Sequence, residues 1–188
     1  MKTIASSVLT LGIFALSGCS ESSTPTGSLP VFDAGPHLGV VANGGKNAAV
    51  PLSGAEEVPA RATRARGTAV FNLSADGDEL SYRLIVANIE NVVQAHIHIG
   101  PAGQNGPFGV FLYGPVPPGG GRIDGVIAEG TITAANFVGP LAGLGMDDLV
   151  AHIVAGNAYV NAHTNDGVAP ANTGPGDFPG GEIRGQIQ

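Results

Sequence analysis

The sequence predicts an all-β domain, a sandwich or barrel carrying one short helix. Short runs rich in Val, Ile, Leu and Phe alternate with small or polar residues at a period of two, the period of a half-buried strand. Gly and Pro, 30 and 14 of the 188 residues, fall mostly between those runs as turn punctuation. Only one segment carries helical spacing, so the strand–helix alternation of a parallel α/β fold is missing.

The elements follow in order. Ala48–Leu52 reads as an edge strand, because Pro51 lacks the amide proton that an interior strand donates. Gly67–Leu73 sets Ala69, Phe71 and Leu73 on one face. Asp76-Gly77-Asp78 turns the chain, and Glu79–Ala87 returns as the second arm of a hairpin. Val92–Ile99, Phe108–Tyr113 and Val126–Ile132 are further strands, separated by Gly/Pro loops at 101–107 and 114–121. Between Asp147 and Gly156, Met146, Leu149 and Ile153 fall at helical intervals, with acidic residues opening the segment and Gly156 closing it. Asn157–Thr164 is again a strand. A second long loop, 165–181, leads to the last one, Glu182–Gln188.

Upstream, residues 1–18 predict a secretory signal: Lys2, an apolar run from Val8 to Leu16, then Ser17 and Gly18. The run is shorter than the roughly 20 apolar residues of a membrane span. Leu16-Ser17-Gly18-Cys19 resembles the lipobox of bacterial lipoproteins, which implies that Cys19 is lipidated. The expected localisation is therefore export with a lipid anchor in the cell envelope, the domain lying in the periplasm or outside the cell. Ser20 follows the cysteine instead of an inner-membrane-retaining Asp, which favours the outer membrane in a Gram-negative host. Residues 19–47 follow as lipidated Cys and tether, Ser/Thr/Pro-rich at 20–30 and open between linker and docked segment at 31–47. The domain is expected over residues 48–188. Cys19 is the sole cysteine, so no disulfide can hold the fold. A formal charge of −7 with 8 basic residues argues against a nucleic-acid surface.

Five histidines are present. His96 and His98, two apart in a strand, share one face, while Ala95, Ile97 and Ile99 take the other. Tyr159, Asn161 and His163 share a face of their strand, as do Glu182, Arg184 and Gln186 of the last. Neutral imidazole is the commonest side-chain metal ligand, so His96, His98 and His163 make a candidate three-nitrogen site for copper or zinc. Asn161, Glu182 and Arg184 are candidate outer or structural polar residues, with Glu182 open between ligand, imidazole orienter and arginine partner. The same histidines could instead hold the flanking loops through backbone carbonyls. His152 falls on the helix and His37 in the tether, and neither joins the candidate site. The Gly-x-Ser-x-Gly and His-Glu-x-x-His patterns do not occur, and no catalytic residue is assigned. Adjacent carboxylates at Glu56-Glu57 and Asp147-Asp148 read as loop and helix start.

Several of these segments carry a family resemblance. Leu52–Pro59 (LSGAEEVP), Ala95–His98 (AHIH), Gly103–Pro107 (GQNGP), Tyr159–Thr164 (YVNAHT) and Pro179–Ile187 (PGGEIRGQI) occur in this order and together resemble the CHRD domain, named after chordin. That resemblance implies an immunoglobulin-like Greek-key sandwich or barrel with a distant likeness to copper/zinc superoxide dismutase, resting on His96 and His98. The chain departs from a dismutase in having no disulfide cysteines and too few histidines for two metal sites. The sequence thus predicts first an envelope-anchored binding or structural module that meets a protein or glycan through loops 101–107 and 165–181. The alternative is a copper or zinc protein using the three histidines, with a single-copper dismutase-like enzyme as its extension.

Overall fold

The computed structural model describes residues 39–40 and 46–188. The predicted signal, Cys19, His37 and most of the predicted tether lie outside the described residues. The strands are β1 (Gly39–Val40), β2 (Lys46–Ser53), β3 (Arg66–Leu73), β4 (Leu80–Glu90), β5 (Val92–Ile99), β6 (Phe108–Tyr113), β7 (Arg122–Ile132), β8 (Ala158–Thr164) and β9 (Ile183–Ile187). The single α-helix among the described residues, α1 (Met146–Val154), lies before β8.

All strand pairs are antiparallel, in the order β6-β5-β8-β9-β2-β3-β4-β7, with β1 added on β2. The two ends of that order, β6 and β7, approach one another. Tyr82 on β4 donates its hydroxyl to Leu112 O on β6 at 2.7 Å, across the remaining gap. Of sandwich or barrel, the chain therefore forms a nearly closed eight-strand barrel.

The alternation of the sequence explains the inside. Ala69, Phe71 and Leu73 of β3, Ala95 and Ile97 of β5, and Val160 and Ala162 of β8 point into one core with Leu84, Ile183 and Ile187. Each large apolar side chain buried there contributes about 1.5–3 kcal/mol. Met146, Leu149 and Ile153 bring α1 into the same core. Asp148 starts the helix by accepting a hydrogen bond from Gly145 N at 2.9 Å, and Gly156, at φ +68, ends it.

Two expectations change. β2 is an interior strand, paired along its length with β3. Its one ladder pair with β9 is Ser53↔Arg184, so the β9 side is nearly unpaired beside Pro51, and a residue without an amide proton is tolerated there. β7 begins at Arg122, four residues before the expected start, its first stretch disguised by Gly125 at φ +110.

The outer face of β5, β8 and β9 is not open to solvent. Every residue of β8 is buried, so both faces of the strand are covered. One covering is the core. The other is a layer of chain from 54–66, 100–107 and 165–182, tied together by Asn105 Nδ2→Val58 O (2.7 Å), Arg61 Nε→Gly181 O (3.2 Å) and Thr63 Oγ1→Glu182 Oε1 (2.6 Å).

Candidate metal centre

The three histidines meet beneath that layer. In the β5–β8 register His96 faces Asn161, His98 faces Tyr159, and His163 faces Gln94, one step diagonally from His96. All three are buried, and one ring nitrogen of each lies within 4.8 Å of the other two.

Their hydrogen bonds fix the chemistry. His98 Nδ1 lies 2.8 Å from Gly106 O, and His163 Nδ1 lies 2.8 Å from Pro179 O. A carbonyl only accepts, so both rings carry their proton on Nδ1 and present a lone pair on Nε2. His96 Nδ1 stands 3.2 Å from His163 Nε2. That spacing matches two nitrogens about 2.0 Å from one tetrahedral ion, which lie about 3.3 Å apart. His96 Nε2 and His98 Nε2 are buried with no hydrogen-bond partner. Two imidazoles oriented by carbonyls, with a third beside them, form a buried nitrogen cluster that could hold a metal ion.

The loop approaches allow this arrangement. A Cβ on Gly106 would collide with Ile99 O, so only glycine lets the 100–107 loop fold back far enough for its carbonyl to reach His98. Phe108 stacks on His96 (centroids 5.0 Å, 25°) and Phe111 meets it edge-on (4.7 Å). Strict alternation would put these two phenylalanines on opposite faces. The β5–β6 pairing slips between Ile97 and His98, so Phe111 opposes His96 and Phe108 opposes His98, both over the imidazoles.

Burial drives His96 down to about 3, helped by His163 and His98, and drives His98 down to about 4 against the pull of the Gly106 carbonyl. Burial also lowers His163. The imidazoles are therefore neutral at neutral pH, as ligation requires.

Around them, Tyr159 stacks on His98 at 4.8 Å, and the Arg184 guanidinium lies 3.4 Å from the Tyr159 ring centroid. Arg184, almost fully buried, also donates to Pro101 O (3.2 Å) and Asn105 Oδ1 (3.4 Å). Glu182 points elsewhere. Its carboxylate accepts from Thr63 Oγ1 (2.6 Å), Thr164 Oγ1 (2.7 Å) and Gly176 N (2.8 Å), so it ties the covering segments and touches no imidazole. His152 sits half-buried on α1, away from the cluster.

Sequence reasoning missed Glu57, taken with Glu56 as an ordinary loop residue. It is buried, and burial raises its carboxyl to about 7 against the opposing pull of Arg184 and Arg61. A carboxyl raised in the folded state binds more protons there than in the unfolded chain. Its stabilising contribution is present below pH 4.5 and is lost as pH rises through about 7. Glu57→Gln, which keeps a neutral group at every pH, is thus expected to gain stability relative to wild type between pH 4.5 and 7 and to level off above. Urea unfolding of both proteins across that range measures it, and a constant difference would contradict the assignment.

Comparison with protein families matches residues 48–187 to the CHRD domain. The chain belongs to the CHRD domain family. No curated protein and no solved structure matches it. Both His-x-His and the Tyr159–Thr164 strand that supplies His163 fall inside the CHRD match.

Proposed function

We propose that this CHRD domain is a copper- or zinc-binding module of the cell envelope, holding the ion on His96, His98 and His163. The observation that carries the reading is the tautomer of the two imidazoles: the carbonyls of Gly106 and Pro179 take the Nδ1 protons and leave a lone pair on each Nε2, that of His163 3.2 Å from His96 Nδ1, in a cluster whose ligand nitrogens lie within 4.8 Å of one another. Copper is the stronger binder for such a nitrogen set, and zinc accepts the same ligands. Storage, delivery or protection against oxidants are the roles this suits. The expected likeness to a copper/zinc dismutase extends, in this reading, to the His-x-His strand and a single ion. The domain reaches its place through the residue 1–18 signal and a lipid on Cys19, the outer membrane being the expected anchor.

Titration calorimetry with copper or zinc tests the reading. One ion per chain is the expected result, and absence of saturable binding would overturn it.

The binding-module reading keeps a specific support. The imidazoles offered to the ion are hydrogen-bonded through their other nitrogens to the two loops expected to meet a protein or glycan. Ion binding at Nε2 makes Nδ1–H a stronger donor, so it should tighten Gly106 and Pro179 together. Hydrogen exchange with and without Zn(II) is expected to show added protection in 100–107 and 165–181 and little change in β3 and β4. Uniform protection, or none, would separate the loops from the ion.

A further inference from the structure

Among the described residues, five buried side-chain polar atoms lack a hydrogen-bond partner, and four of them belong to His96, His98, Asn161 and Glu57. Orphaned buried acceptors are costly, so their concentration in one place calls for an occupant. The metal reading accounts for His98 Nε2 and engages the His96 ring through Nδ1. It leaves Asn161 Oδ1 without a role.

Asn161 sits in the middle of the site. It is the Cα partner of His96 across the β5–β8 ladder and lies between Tyr159 and His163 on the same outward face of β8. It is only 3% exposed. A Cβ on Gly181, whose φ is +121, would collide with Glu57 Oε1 and stand 2.8 Å from Asn161 Nδ2, so those two atoms border the same point. The carboxamide NH2 is therefore turned toward Glu57, and its oxygen away from it.

We propose that Asn161 is the fourth donor of the site, its Oδ1 completing a three-nitrogen, one-oxygen set with His96, His98 and His163, while its amide nitrogen borders Glu57 at Gly181. The inference rests on the metal reading above. Four donors of this kind suit a tetrahedral ion, and the amide oxygen is neutral, so it adds no buried charge. The covering layer serves the same end, since Gly181 alone gives Glu57 room to approach.

The test uses Co(II), whose visible absorption reports coordination, on the full-length chain with Asn161→Ala and Asn161→Asp. The wild type is expected to bind one Co(II). Asn161→Ala should still bind one through the imidazoles, but about 10-fold more weakly and with a changed visible spectrum. Asn161→Asp, which keeps the side-chain shape and supplies a charged oxygen, should bind about 10-fold more tightly than wild type. If Asn161→Ala does not fold, the aspartate variant decides alone. Affinities and spectra equal to wild type would overturn the role of Asn161 while leaving the three-histidine site intact. Failure of the wild type itself to bind Co(II) would overturn the metal reading and this inference with it.

Discussion

Replacing His96 and His98 together by alanine is expected to weaken copper and zinc binding by more than about 100-fold, the larger end of what changes around a metal site produce. His163 then stands alone, and a single imidazole on a buried wall is a poor site. The double variant also removes the ring on which Phe108 stacks and frees the Gly106 carbonyl from His98. A loss of about 1–3 kcal/mol in apo stability should accompany the loss of binding, from the cavity and the lost hydrogen bond to Gly106 O, which keeps only the longer Tyr159 hydroxyl contact at 3.4 Å. Calorimetry at neutral pH measures the first effect and urea unfolding the second. Binding unchanged in the double variant would place the ion elsewhere and leave these histidines with their loop-holding role.

Glu182→Ala carries the largest expected effect on the fold. The carboxylate is fully buried and accepts hydrogen bonds from Thr63, Thr164 and the Gly176 amide. Bonds to a charged acceptor are the stronger kind, and truncation leaves two buried donors, Thr164 and the Gly176 amide, and the half-buried Thr63 hydroxyl unpaired in three different segments. A destabilisation of about 3–5 kcal/mol follows, a fall in Tm on the order of 10 °C for a domain of this size. The 54–66 and 165–182 segments lose their common anchor, so metal affinity should fall with stability. A melting temperature within about 2 °C of wild type would mean that these segments are held by other contacts.

The barrel strands were legible because a period of two is written into residues such as Ala69, Phe71 and Leu73 and reset by turns such as Asp76-Gly77. The helix was legible from Met146, Leu149 and Ile153 for the same reason at a different period. His96, His98 and His163 could be placed on outward faces by alternation alone. What alternation cannot show is what covers those faces. The polar stripe of β8 is buried by segments 54–66 and 100–107, far away in sequence, and by 165–182, which follows it directly. Glu182 shared a stripe with Arg184 by count, yet its partners are two threonines and a glycine amide. Phe108 and Phe111 join one face only through slips in the pairing with β5, and a slip has no signature in the β6 sequence itself. Pro51 marked an edge by rule, but an interior strand with one neighbour almost unpaired satisfies the same rule.

X-ray absorption at the copper or zinc edge of the loaded protein bears most directly on the central claim. The account predicts a first shell of nitrogen and oxygen at about 2.0 Å, with the outer-shell scattering of three imidazoles. A first shell with one imidazole or none would contradict it.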